Sequence, residues 1–241
     1  GRLMRLHYAP GSPQSAAVRI ALGEKQLEPE LHKLDLVHFE QHQAEYLAIN
    51  PHGTVPLLED GGRKLFESAL ILEFLDDKYP QAPLAGHDPR QRYLARKWGK
   101  YVETHIAPHL AIARWAALHG RVPAAAVAGL ANLLPARCEL WLRASRGFDR
   151  EQLAASTQAM LTAGKRLAAD LAGNDWLAGD AFTLGDIAVY PHVAQFAALG
   201  LPVPREVESW LARVAARPSV RSIEADLFPL AVMGPEPGRW G

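Results

Sequence analysis

The sequence predicts an α/β N-terminal domain followed by an all-α helical C-terminal domain, and three observations carry that prediction. Residues 1–80 alternate short extended runs with helical periodicity. Pro83, Gly86 and Pro89 mark residues 81–89 as a linker. Beyond residue 89 strand signals vanish and long helical patterns run through residues 90–241.

In chain order, Leu3 to Tyr8 reads as a first strand, and Ala9-Pro10-Gly11 as a turn. Ser12-Pro13 then has the form of a helix start, a hydroxyl N-cap followed by proline at the first helical position. Ala17, Ile20 and Ala21 continue that helix towards Gly23. Residues 30–36 alternate weakly, as a second strand would, and residues 39–48 read as a short irregular helix. Val55-Pro56-Leu57-Leu58 is apolar and extended, but its proline cannot donate to a ladder and belongs at an edge or bend. Gly61-Gly62 has hairpin spacing, Leu65-Phe66 supplies the returning strand, and Glu67-Ser68 sits where that strand becomes a helix ending at Tyr79-Pro80. The result is a mixed sheet whose parallel pair is joined through the first helix.

In the second domain, Asp88-Pro89 opens a long segment, Arg90 to His119, that Pro108 is expected to kink or divide. Residues 124–145 read as a helix interrupted by Pro135, and residues 151–172, 183–199 and 205–216 as three more. The tail GPEPGRWG has no periodic face, and Trp240 is its one anchor. Thr183-Leu184-Gly185-Asp186 is a capping-box pattern ahead of an apolar run, with Phe182 placed to staple against Ile187. It reads as a folding device.

Composition narrows the function. Lys+Arg and Asp+Glu both number 26, so no basic field exists to hold a nucleic acid. No apolar run reaches membrane-spanning length, and the N-terminus lacks the apolar core of a secretory signal. Cys138 is the sole cysteine, which excludes an intrachain disulfide and thiol-rich metal sites. His105 and His109 lie four apart, but Pro108 falls between them and no acidic partner is evident, so no metal is expected. A cytoplasmic protein is the expectation.

Asn50 to Pro56, Phe66 to Leu72 and Leu75 to Pro80 resemble the glutathione-site half of a glutathione S-transferase, and Phe182 to Ile187 resembles that family's helical-domain capping motif. The order also matches: a thioredoxin-like domain, a linker and a helical domain. The resemblance spans the chain except its last dozen residues. It implies glutathione as co-substrate, a homodimer, and a cis Val55-Pro56 bond, although the background preference of an X–Pro bond is trans. It implies that the Val55 backbone pairs with the cysteinyl backbone of the ligand. Glu67 and Ser68 would take the γ-glutamyl ammonium and carboxylate, the latter at a helix start that favours anions. Gln41 and His42, with Thr54 as a further donor, would face the glycyl carboxylate.

The thiol of glutathione titrates near about 8.5 when free, so a site must stabilise its thiolate. Ser12 falls where serine-type theta and zeta members carry their catalytic serine, and Tyr8 has the spacing of the tyrosine-type classes. Ser15 is a third hydroxyl, expected inside the helix. The electrophile would lie between the domains against the long helix, where Tyr101, His105, Ile106, His109 and Trp115 are candidates. The implied reaction is conjugation of the thiolate to small hydrophobic electrophiles. Two alternatives stay open. One is a glutathione-dependent isomerase of the maleylacetoacetate type, whose adjacent serine and cysteine are replaced here by Ser12-Pro13-Gln14-Ser15. The other is a non-catalytic binding protein of the same fold.

Overall fold

The structure is a computed structural model that describes residues 4–36, 38–117 and 128–227. Four strands, β1 (Arg5–Tyr8), β2 (Glu30–Lys33), β3 (Leu57–Asp60) and β4 (Arg63–Leu65), form one sheet in the order β2-β1-β3-β4. β1 runs parallel to β2, with Leu6 opposite Leu31, and antiparallel to β3, with Leu6 opposite Leu58. The β3–β4 hairpin turns on Gly61 and Gly62, whose φ values of 59° and 85° suit residues without a Cβ.

Helix α1 (Pro13–Glu24) makes the crossover between the parallel strands. Ala16, Ala17, Val18, Ile20, Ala21 and Leu22 are all buried, because α1 packs on the sheet domain from one side and on the helical domain from another. A 3-10 turn (Glu40–His42) and α2 (Ala44–Ile49) occupy the expected irregular stretch. α3 (Ser68–Lys78) covers the sheet through Ile71, Leu72 and Leu75. The following loop is tied down by a buried ion pair: Lys25 meets Asp76 and also donates to the Tyr79 and Ala82 carbonyls at 2.8 and 3.0 Å. Asp76 in turn accepts from the backbone of Leu84 and Ala85 at 2.8 and 2.9 Å, so neither buried charge lacks partners.

α4 (Pro89–Tyr101) opens as expected, with Asp88 accepting from the Gln91 N–H at 2.9 Å and Pro89 at the first position. The long segment then divides earlier than its proline. A π-helical turn spans Val102–Ile106, and α5 (Ala107–Ala117) begins after it. Pro108 therefore comes just after the π turn, in a chain that stays right-handed helical from Tyr101 to Ala107, with the Ala107 N–H donating back to the Val102 carbonyl. Pro135 opens a helix instead of interrupting one: α6 is Pro135–Ser145, with Pro135 at its first position. Residues 118–127 and 228–241 lie outside the described residues, and with them His119, the beginning of the expected 124–145 helix, and Trp240. α7 (Arg150–Leu171) ends before Gly173, which takes φ 74°. α8 (Leu184–Val193) is shorter than expected, with a 3-10 turn at Ala197–Leu199 beyond it. α9 (Arg205–Ala215) and two short helices, α10 (Pro218–Arg221) and α11 (Glu224–Leu227), bring the chain back against α1. Among the described residues no helix is long and apolar enough to cross a membrane.

The capping box at Thr183 is present, and its acid does more than cap. Asp186, fully buried, accepts from the Thr183 and Leu177 N–H groups, both at 3.0 Å, and from the Trp210 indole at 2.8 Å. It thereby joins α8 to α9 and to the loop before Thr183. Burial raises its carboxyl to about 6 despite those donors. Asp186→Ala strands three buried donors, so unfolding by denaturant should show a loss of about 3–5 kcal/mol with Trp210 fluorescence as probe. Because the folded value lies above the ordinary 3.8, the Asp186 contribution to stability is full below that value and declines as pH rises through about 6. Thermal melts across that range, compared with Asp186→Asn, measure it.

Candidate active site

A cleft of about 400 Å³ opens between the two halves of the chain. One wall comes from the β1–α1 turn, the segment around Gln41, the loop at Thr54 to Pro56 and the start of α3; the other comes from α5 and α6.

The β1–α1 turn places Ser12. Its backbone is extended (φ −80°, ψ 114°), as an N-cap requires, and its Oγ accepts the Ser15 N–H at 3.1 Å. Ser15 is buried inside the helix and its Oγ accepts the Ala9 N–H at 3.2 Å, tying back the turn. A hydroxyl has one proton and two lone pairs. Ser12 therefore caps α1 with a lone pair and keeps its proton for a group in the cleft, where the positive end of α1 also favours an anion. Tyr8 is placed differently. Its ring lies 4.6 Å from the Arg19 guanidinium within the core and is not part of the cleft wall.

The Val55-Pro56 bond is cis, and Thr54, Val55 and Pro56 all line the cleft. The Thr54 carbonyl is committed elsewhere, accepting from Tyr46 Oη at 2.6 Å and Asn50 Nδ2 at 2.7 Å. Burial pushes the Tyr46 phenol up to about 12, so it stays a donor. Glu67 and Ser68 share the wall at the start of α3. Glu67 holds φ 65°, a sparsely populated region for a side chain with a Cβ. Its carbonyl accepts the Ile71 N–H at 3.0 Å, the first bond of the helix.

Of the two residues expected at the glycyl end, Gln41 lines the cleft and its buried Oε1 has no protein partner. His42 does not reach the cleft. It is buried between Phe39 and Trp141, with ring centroids at 5.5 and 5.0 Å, and neither ring nitrogen has a partner. Burial, reinforced by Arg137, lowers it to about 4, so it is a neutral packing group at neutral pH.

The electrophile-side candidates separate. Trp115 lines the cleft. Tyr101 and His105 stack on each other at 4.6 Å, under Arg166, in a different surface hollow with Tyr93 and Asp170. His109 meets Ser156 of α7 at 3.1 Å, and Ile106 is core. The π turn explains the separation. It shifts the helical phase between α4 and α5, so residues that share a face on one continuous helix no longer do. Among the cleft residues that the sequence reading passes over are Arg114, Arg137 and Trp141. Their spacing was legible, since 114 and 115 flank one face with Ala111, and 137 and 141 are four apart; a second domain read only for its core passes over them.

The comparisons with known proteins agree with this layout. Residues 6–83 match the family description "Glutathione S-transferase, N-terminal domain" and residues 150–222 match "Glutathione S-transferase, C-terminal domain". The chain is 31% identical over 194 residues to the maleylacetoacetate isomerase of Pseudomonas aeruginosa, covering 79% of this chain and 80% of that one. It is 28% identical over 239 residues to the protein LigF of Sphingobium sp., covering 90% of each. The crystal structure of that beta-etherase is similar with a TM-score of 0.83 at 26% identity, over 92% of this chain and 98% of that one. A theta class glutathione S-transferase from Xanthomonas axonopodis with glutathione bound shares the fold, with a TM-score of 0.71 at 21% identity, over 91% and 95%.

His42→Phe should fold and leave glutathione affinity unchanged in calorimetry. A histidine whose folded value lies below the ordinary 6.5 stabilises the fold above that pH and withdraws the stability as pH falls towards about 4. The variant should therefore lose part of the acid destabilisation seen in thermal melts of the unmodified protein.

Proposed function

Because the chain belongs to the glutathione S-transferase family, we propose that the cleft binds glutathione with its sulfur at Ser12 and transfers that sulfur to a small electrophile held against α5. The carrying observation is that Ser12, Val55, Glu67 and Ser68 share one wall while the Ser12 proton remains available. Glutathione lies along that wall. Its γ-glutamyl carboxylate takes the Ser68 hydroxyl and the N–H groups at the start of α3, its ammonium faces Glu67, and its cysteinyl backbone runs beside Val55. The glycyl end extends towards Gln41, with Thr54 as a side-chain donor.

The thiol gives its proton to solvent, and Ser12 donates a hydrogen bond to the thiolate left behind. One charge-assisted bond contributes about 1.5–3 kcal/mol, enough to lower the thiol by one to two units at about 1.4 kcal/mol each. The thiolate then attacks an electrophilic carbon, a C–S bond forms, and an aryl halide loses its halide with the bonding pair. Positioning and charge stabilisation supply the catalysis. The fold likeness to the beta-etherase favours a second reading of the leaving group, an ether oxygen that departs with the bonding pair and is protonated by solvent. The protein acts in the cytoplasm, which suits a chain with one cysteine. It acts as a homodimer, supported by Leu70 and Tyr93, exposed at 63% and 66% on α3 and α4.

Retention on immobilised glutathione and turnover of chlorodinitrobenzene are the expected results, and the absence of both overturns the reading. Ser12→Ala should lower kcat by about 10- to 100-fold and return the bound thiol towards about 8.5, read from thiolate absorbance against pH. Tyr8→Phe should change neither quantity; a loss there in place of Ser12→Ala would assign the thiol to Tyr8.

A further inference from the structure

Glutathione carries two carboxylates, and the sheet-side wall of the cleft answers one of them, the γ-glutamyl carboxylate at the start of α3. At the far end of that wall stand Gln41 and Thr54, both uncharged. His42 is neutral and does not line the cleft. Among the described residues of the sheet-side wall none is a cation. The second carboxylate therefore has no counter-charge on that side.

The helical half supplies one. Arg137 lines the cleft from the first turn of α6, one turn ahead of Trp141, and its guanidinium is 5.9 Å from the centroid of the Trp141 ring. α6 packs on the segment that carries Gln41: the Trp141 ring lies 5.2 Å from Phe39 and 5.0 Å from His42, edge-on to both. The Arg137 charge reaches His42, so Arg137 stands at the Gln41 end of the cleft. The cleft's other arginine, Arg114, acts on the buried His192 of α8, which is not a cleft residue.

The Arg137 charge is uncompensated among the described residues. Burial lowers the guanidinium, and no neighbouring acid raises it. Glu139, the nearest acid in sequence, is two positions on and does not face it. Nor does α6 gain from this cation, because the dipole opposes positive charge in a first turn and favours an anion there. Arg137 Nε, Trp141 Nε1 and Gln41 Oε1 are all buried without partners. Two donors, one acceptor and an unpaired cation make an incomplete polar cluster. A carboxylate with an amide N–H beside it, as at a C-terminal glycine, complements that set.

On the glutathione-binding reading of the cleft, we infer that Arg137 takes the terminal carboxylate of the thiol co-substrate. The helical half thus selects a thiol that ends in an anion, and bound glutathione spans the molecule from α3 to α6. Arg137 sets co-substrate specificity, and Ser12 stays the group that activates sulfur.

Glutathione and its glycyl monoethyl ester test the inference, since they share thiol, γ-glutamyl head and backbone and differ by one charge. In calorimetry on the whole chain at neutral pH, glutathione should bind about 10-fold or more tightly than the ester. Arg137→Gln should weaken glutathione to the level of the ester while leaving the affinity for the ester unchanged, and Arg137→Lys should restore part of the preference. With chlorodinitrobenzene as electrophile, Arg137→Gln should raise KM for glutathione and leave kcat unchanged. The comparison of the two ligands on the unmodified protein does not depend on how the variants fold. If the unmodified protein binds neither ligand, the transferase reading and this inference fall together. Equal binding of the two, a preference that survives Arg137→Gln, or an Arg137→Gln loss shared equally by both ligands overturns this inference alone.

Discussion

The site depends on how α1 is clamped at both ends by the last described residues of the chain. At its start, the Gly11 N–H donates to the Asp226 carbonyl at 2.9 Å, and the Asp226 carboxylate pairs with Arg19. At its end, Glu24 receives both arms of Arg217 at 2.8 and 2.7 Å and the Ser219 hydroxyl at 2.6 Å. Burial would raise Glu24, but those donors outweigh it and hold the carboxyl below its ordinary value. Gly23 leaves room for this docking, since a Cβ there would lie 2.9 Å from the Ser219 Cβ. A helix held this way cannot rotate without breaking contacts to both halves of the molecule. Ser12, at its N-terminus, therefore has a defined place relative to Val55 on the sheet side and Trp115 on the helical side.

Around that fixed point the cleft is organised by the polarity of helix ends. α1 and α3 both direct their N-termini at it. α3 begins with Ser68 and first-turn N–H groups, whereas at α1 Pro13 has no N–H and Ser12 takes that of Ser15, leaving the Ser12 hydroxyl and the helix dipole, so the sheet-side wall favours anions at two places, with Glu67 as its acid. The backbone of Glu67 is held at positive φ where the residue lines the cleft and its carbonyl begins the helix. The arginines of α5 and α6 complete a field that is positive on the helical side. Thiolate chemistry suits such a field.

Much of this was legible in residues close together in sequence. Ser12-Pro13, Asp88-Pro89 and Thr183 to Asp186 act through bonds within three or four residues, and each behaves as its pattern says. What escaped depends on longer range. His42 has the composition of a cation but lies beneath Trp141, a residue 99 positions away, and packing there removes its charge. Tyr101 and His105 read with Trp115 as candidates on one long segment broken at Pro108; a π turn ahead of that proline, invisible to periodicity, places them on another surface.

The sequence by itself determined the order of elements, the division into an α/β and a helical part, and the helix starts, because hydrophobic period and capping chemistry are local. It also grouped Ser12, Val55, Glu67 and Ser68, which line one cleft in the structure. Only the tertiary structure decided which aromatic and cationic groups of the helical half share that site. Those groups reach the cleft by the phase of α5 after the π turn and by the docking of α6 on the Phe39–His42 segment, and both are set by packing between distant parts of the chain. It likewise separated Ser12 from Tyr8, one turned into the cleft and the other held in the core beneath Arg19, a distinction of direction that residue spacing does not carry.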